Sequence, residues 1–272
     1  MIQDIFPYKM NNQYDSEAVA SFKDHVLVFE EGKLLVSKEG LEFPRVSDFE
    51  SGEFRYLFTI SDERFFLSTA GMTVPENCEF KDLREIRGKA ADYKHHVFAA
   101  YTGKHLYDWY NITQFCGKCG SKMVHSDTER AMVCVSCGNT VYPRIMPAVI
   151  VGVTNGDKLL LTRYRTGYGH NALVAGFTEI GETVEETVER EVFEETGLKV
   201  KNIRYYKSQP WGIVSDLLMG FYCDVDGSDE IVMDENELKY ASWVQRDEIE
   251  LQPDDISLTN EMMKMFKENR NN

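Results

Sequence analysis

Gly176-Phe-Thr-Glu-Ile-Gly-Glu182-Thr-Val-Glu-Glu-Thr-Val-Glu-Arg190-Glu191-Val-Phe-Glu194-Glu195-Thr-Gly197-Leu198 is the most informative stretch of this 272-residue chain. Eight glutamates and one arginine give it a charge of −7 in twenty-three residues. Thr183 with Glu186 three positions later is a capping-box pattern, so the spacing predicts a helix from Val184. Gly197 is placed to end that helix as a left-handed cap. At ~100° per residue, Val184, Val188 and Val192 form an apolar stripe, and Glu191 and Glu195 fall on the same side. Glu194 lies to one side of them, while Glu185, Glu186 and Glu189 point to water. Two inward carboxylates repel each other and lose hydration. Either divalent cations compensate them through oxygen ligands, or the helix is simply an acidic surface element. The helical wheel alone leaves both readings open.

The rest of the chain carries −8 of the net −15. Such a surface repels polyanions, which argues against a dedicated nucleic-acid or anionic-membrane binder. It still permits a protein that holds cations and, through them, a phosphate substrate. The hydrophobic fraction of 43% suffices for ordinary cores. The longest apolar run, Met146 to Val153, is far short of the ~20 residues of a spanning helix. Met1-Ile2-Gln3-Asp4 lacks the basic start of a secretory signal, so the expected location is cytoplasmic.

Residues 1–110 read as strands followed by a helix. His25–Phe29 and Leu34–Ser37 suggest one hairpin, and Phe54–Ile60 and Arg64–Thr69 another. Helical spacing is expected from Phe80 to about Tyr110, with Val97, Ala100 and Tyr101 as part of its stripe. This segment carries no recognisable chemistry. Residues 111–142 form a small unit with four cysteines and a charge of +1. Residues 143–272 return to globular composition. Strands are expected at Val149–Val153, Lys158–Thr162, 203–208 and 217–225, with helices at 184–196 and about 257–268.

Cys116-Gly-Lys-Cys119 and Cys134-Val-Ser-Cys137 are separated by fourteen residues. Two residues between cysteines let both thiolates turn onto one ion, and Gly120 and Gly138 relieve the backbone behind each pair. Four thiolates close a tetrahedron that suits one structural zinc and leaves no position for substrate. An iron site and a redox pair are the rival uses of such ligands. Metal binding should supply the stability that so small a unit cannot draw from burial. Cys78 and Cys223 stand alone as buried apolar residues.

The spacing Gly-x5-Glu-x7-Arg-Glu-x-x-Glu-Glu-x-Gly-Leu, filled from Gly176 to Leu198, resembles the Nudix box. The resemblance implies a C-terminal α/β/α sandwich around a mixed sheet, in a chain that is α+β as a whole. It implies hydrolysis of nucleoside diphosphates linked to another moiety, with two or three Mg²⁺ or Mn²⁺ ions. By the same resemblance, Glu191 and Glu195 are metal ligands, Glu194 is a metal or water partner, and Ala175 is a ligand through its carbonyl oxygen. Arg190 and Glu182 support the site.

The cysteine unit ahead of this box, after a strand-rich segment, resembles the NADH pyrophosphatase subfamily. That resemblance implies an N-terminal Nudix-like α+β domain over 1–110, a zinc ribbon over 111–142 and a catalytic Nudix domain over 143–272. Ser208-Gln209-Pro210-Trp211 begins the subfamily motif Ser-Gln-Pro-Trp-Pro-Phe-Pro-x-Ser. The chain then departs to Gly212-Ile213-Val214-Ser215-Asp216, with Asp216 in place of the final serine. A loop there is expected to be less rigid without its prolines, and a stacking phenylalanine is lost. Tyr142, Phe177, Gln209, Trp211, Asp216 and Thr259 are the implied substrate contacts. Glu237 is the further metal-binding glutamate, with Glu235 its competitor.

The implied reaction splits NAD(H) into AMP and NMN(H). The alternatives are a broader pyrophosphatase for ADP-ribose, FAD or dinucleoside polyphosphates, and removal of an NAD cap from RNA 5′ ends. A third is a nucleotide-sensing module without catalysis. The subfamily also implies a homodimer with a small-nucleotide substrate, no membrane, and no nucleic acid beyond capped RNA ends.

Overall fold

The computed structural model describes residues 1–69, 73–166 and 169–270. The chain divides into two compact units. One comprises Ile2–Arg144 with Gly212–Ser215, and the other Met1, Ile145–Trp211 and Asp216–Asn272.

The first unit holds three sheets. Strands β1 (Met10–Asn11), β2 (His25–Leu27), β3 (Phe29–Glu30), β4 (Lys33–Ser37), β5 (Phe54–Ile60), β6 (Glu63–Ser68) and β7 (Cys78–Asp82) come first. Helices α1 (Leu83–Arg87) and α2 (Ala90–Ile112) follow. The order β1-β5-β6-β2 makes one sheet, with β2 parallel to β6, and β3-β4-β7 makes a second. The expected hairpin β5–β6 forms around Ser61 and Asp62. The other expected hairpin also forms, with Phe29 opposite Leu34, but the run from His25 to Phe29 is broken at Val28. Its first half joins β6, and only Phe29–Glu30 pairs with β4. A second correction moves the helix start. Phe80 lies in β7, and helix begins at Leu83 behind an Asp82–Glu85 capping box.

The ribbon sheet is β8 (Met123–His125), β9 (Met132–Cys134) and β10 (Thr140–Val141), all antiparallel. The two cysteine knuckles are built alike. The Gly120 N–H donates to the Cys116 carbonyl and the Gly138 N–H to the Cys134 carbonyl. Both glycines sit at positive φ, 75° and 69°, where a Cβ would be strained.

The second unit has β11 (Met146–Asn155), β12 (Lys158–Tyr164), β13 (Val174–Phe177), α3 (Val184–Thr196), β14 (Val200–Trp211), β15 (Asp216–Val225), β16 (Leu238–Gln245) and α4 (Leu258–Lys267). The sheet order is β14-β15-β11-β12-β16. β11 and β15 are parallel and the remaining pairs antiparallel, so the sheet is mixed. β11 meets β12 only at Thr154 and Asn155, and its first half pairs with β13 instead. β13 is therefore wedged where β11 and β12 diverge, and the Thr162–Ala172 bridge ties its approach to β12.

Strand alternation sorts the core to two faces. Val149, Val151, Val153, Leu160, Phe221 and Cys223 pack with Val188 and Val192 of α3. Ile150, Leu159, Leu161 and Tyr222 pack with Leu258, Met262, Met263 and Phe266 of α4. Helix on sheet on helix is the α/β/α layering that the resemblance implies. The segment Ser208–Trp211 is a further correction. It lies on β14, paired with residues 216–219 of β15, and only Gly212–Ser215 form the turn.

Candidate active site

α3 begins at Val184 as its caps predict. The Thr183 side chain accepts from the Glu186 N–H, and Glu186 returns a bond to the Thr183 N–H. Gly197 closes the helix at φ 70°. Val188, Val192, Thr187 and Thr196 are buried, and Glu195 is buried with them, at 2% exposure. An acid on the core side of a helix must be held, and three elements do so.

The first is β12. A register shift between Arg163 and Tyr164 turns the Tyr164 ring towards α3, as bulges do when they re-aim a side chain. The Tyr164 hydroxyl donates to Glu195 Oε1 at 3.1 Å and accepts from the Ala175 N–H at 3.1 Å. The second is β13. A Cβ on Gly176 would collide with the Glu191 carboxylate, so glycine is what lets that carboxylate lie against the strand. The third is the segment before β16. The Val232 and Asp234 N–H groups donate to the carbonyls of Thr196 and Glu195, at 2.9 Å each. These bonds satisfy open carbonyls at the helix end and bring residues 232–238 alongside α3.

Arg190 organises the exposed side. Its Nε donates to Glu182 Oε1 at 2.6 Å, one terminal nitrogen to Glu191 and Glu194 at 2.7 and 3.0 Å, and the other to the Phe177 carbonyl and Glu182 Oε2 at 2.9 Å. The guanidinium holds the Glu182 carboxyl down to about 2. Glu191 and Glu195 go the other way. Burial pushes Glu195 up to about 8, and the charges of Glu191 and Glu237 add to it against the Tyr164 bond. Burial also raises Glu191, partly offset by Arg190. Crowded inward carboxylates are the oxygen donor set that Mg²⁺ or Mn²⁺ takes. Glu191, Glu195 and Glu237 could hold such ions.

The charge of Glu237 acts on both Glu191 and Glu195, and the backbone carbonyls of Glu235 and Glu237 both accept from Arg165. Phe177 is half-exposed beside the Arg190 guanidinium. Asp216 is buried, its Oδ1 has no partner among the described residues, and burial pushes its carboxyl up to about 7. Trp211 is half-buried at the end of β14 opposite Asp216. Thr259 lies in the first turn of α4.

Gln209 differs from its expected role in holding a nucleotide. It is fully buried, its amide donating to the Ile256 carbonyl and accepting from the Leu258 N–H at 2.7 Å each. It pins the entry of α4 to β14. Tyr142 lies in the unit that contains the ribbon and donates to Glu129 at 3.0 Å. Tyr164 is the residue that sequence reasoning missed, since a tyrosine ending a strand carries no signal of which carboxylate it meets.

Cys116, Cys119, Cys134 and Cys137 converge, with all four sulfurs within 4.8 Å of one another. The Cys119–Cys134 and Cys116–Cys137 separations are 3.4 and 3.8 Å, close to the edge of a tetrahedron with ~2.3 Å Zn–S bonds.

Comparison with known proteins adds to this geometry. Residues 144–265 match the NUDIX domain family, and residues 113–142 match the NADH pyrophosphatase zinc ribbon domain. An NAD-capped RNA hydrolase NudC of Citrobacter koseri is 45% identical over 154 residues, 56% of this chain and 59% of that protein. The NudC of Escherichia coli strain SMS-3-5 is 44% identical over 154 residues, with the same coverage. The chain thus spans 59% of the length of these curated relatives. A NUDIX hydrolase structure from Nitrosomonas europaea superposes with a TM-score of 0.51 at 22% identity, covering 58% of this chain and 92% of that one. That likeness bears on the fold alone.

Proposed function

The chain carries a Nudix domain behind an NADH pyrophosphatase zinc ribbon domain, and from that premise we propose that it hydrolyses the diphosphate bond of NAD(H) to AMP and NMN(H). The observation that carries the reading is the buried Glu195 with the half-buried Glu191, set against Ala175–Gly176 with the Glu237 charge upon them.

When bound, Mg²⁺ or Mn²⁺ neutralises the diphosphate and acidifies a bound water. Glu191, Glu195 and Glu237 would hold the ions, with the Ala175 carbonyl as a further ligand. Arg190 fixes the orientation of Glu191 and Glu194. Water adds to one phosphorus, the bridging P–O bond breaks, and the water's proton passes to one of Glu194, Glu195 or Glu237. Phe177 stacks on the adenine, Trp211, Asp216 and Thr259 line the substrate, and Gln209 supports them by pinning the entry of α4 to β14. The four cysteines hold one structural zinc.

A second reading is removal of an NAD cap from RNA, the activity in the names of the relatives. It uses the same phosphorus chemistry, and a frayed 5′ end can reach a site whose surroundings repel longer RNA. We further propose the three-part division at 1–110, 111–142 and 143–272, a homodimer and a cytoplasmic location. Among the described residues, no helix is long and apolar enough to cross a membrane.

Product analysis with NADH, NAD⁺, ADP-ribose, a diadenosine polyphosphate and an NAD-capped oligoribonucleotide, in Mg²⁺ or Mn²⁺, tests the assignment. AMP and NMN(H) are expected as the main products, with turnover reduced ~10²-fold or more in Glu195→Gln. Near-normal turnover in that variant, or nucleotide binding without hydrolysis, would overturn the proposal.

A further inference from the structure

We propose a second metal-binding site, built from His25, Glu63 and His96 in the N-terminal unit and separate from both the cysteine ribbon and the acidic helix. His25 opens β2, Glu63 opens the neighbouring strand β6, and His96 comes from α2. Three elements remote in sequence thus point one ligand side chain each at a common centre. One imidazole nitrogen from each histidine and a Glu63 oxygen lie within 4.8 Å of one another.

The state of each donor argues for a ligand. His25 and His96 are 1% and 3% exposed. His96 Nδ1 lies 2.7 Å from the Leu41 carbonyl. Only a protonated nitrogen can donate there, so Nε2 is the nitrogen left to face the centre, and it offers a lone pair when the ring is neutral. A backbone acceptor that sets the tautomer in this way is the usual partner of a metal-binding histidine. His25 Nδ1 and Nε2, His96 Nε2 and Glu63 Oε2 are all buried without a hydrogen-bond partner among the described residues. Buried polar atoms are ordinarily satisfied, and the three that face one another here, one nitrogen of each ring and Glu63 Oε2, indicate a shared partner.

The spacing agrees. His25 Nε2 is 3.5 Å from Glu63 Oε1, and His96 Nε2 is 3.4 Å from Glu63 Oε2. Both are long for hydrogen bonds but match the ~3.4 Å edge of a tetrahedron with metal–ligand bonds of ~2.0–2.1 Å. Phe65 stacks on the His25 ring at 5.1 Å and Phe43 meets it edge-on, so the donors sit in an apolar wall that holds their rotamers. The Glu63 side chain is 35% exposed and gives the ion a way in. Two imidazoles and a carboxylate suit zinc or a similar divalent transition metal. The site would fasten β2, β6 and α2 together.

The tag-free 272-residue chain, loaded with Zn²⁺ in excess Mg²⁺ and then gel-filtered, is expected to retain two zinc ions. Glu63→Gln and His96→Gln should each retain one. A single zinc in the unmutated chain overturns the proposal. Should the variants fail to fold, zinc-edge X-ray absorption of the unmutated protein decides independently. Imidazole scattering is expected beside sulfur, because neither the four cysteines nor the cluster of Glu191, Glu194, Glu195 and Glu237 contains a histidine. A spectrum with sulfur and oxygen neighbours only would likewise overturn it.

Discussion

At Asp216 a carboxylate stands where the resembled motif ends in serine, and nothing among the described residues bonds its Oδ1. Its value in the fold, about 7, is raised above the ~3.9 of an unfolded aspartate. Between those two values the unfolded chain has released the proton that the folded chain keeps, so stability falls as pH rises from about 4 to about 7. Asp216→Ser should remove this slope and raise stability at pH 8 by roughly 1–2 kcal/mol, solvent screening keeping the gain small. Thermal melts across pH check this; superimposable profiles would count against it. Glu191 and Glu195 were legible as inward acids because helical geometry is local. Tyr164, which donates to Glu195, was not, because a bulge and a tertiary approach decide which side chain it meets.

Among the elements, α3 is the most fully encoded. Its capping box, valine stripe and terminal glycine each act within a few residues, and the helix runs from Val184 to Thr196 as read. β13 depends on its neighbours instead. Four residues, Val174–Phe177, hold their place because β11 and β12 diverge around them. Gly176 is the point where strand and helix come closest, and it does not need a positive φ. Gly176→Ala is therefore expected to leave the fold intact while displacing the Glu191 carboxylate. Turnover should fall ~10²-fold, as misplacement of a reacting group by about 1 Å does, with an unchanged circular dichroism spectrum. Turnover close to that of the parent would show that the close approach is dispensable. The departure after Trp211 was read as loosening a loop. Pairing with β15 makes residues 208–211 strand, which confines the effect of the missing prolines to Gly212–Ser215.

At the scale of the chain, the cysteine ribbon is the metal-held part, while the sheets and helices of both units rest on apolar cores. The ribbon offers little apolar burial, so zinc removal should cost it its fold. A strong chelator is expected to make Cys116, Cys119, Cys134 and Cys137 reactive to a thiol reagent while Cys78 and Cys223, buried in the native state, stay protected. Protection of all six after chelation would contradict this. What the sequence determined by itself is whatever depends on short spacing: the cysteine knuckles, the caps and acid face of α3, and the apolar runs of β11 and β15. Those features act through backbone geometry a few residues long. Tertiary structure alone decided which groups remote in sequence share a centre: Tyr164 on Glu195, and His25, Glu63 and His96 together. The physical reason is that strand pairing and helix packing bring such residues together, and the sequence of each segment carries only its own periodicity.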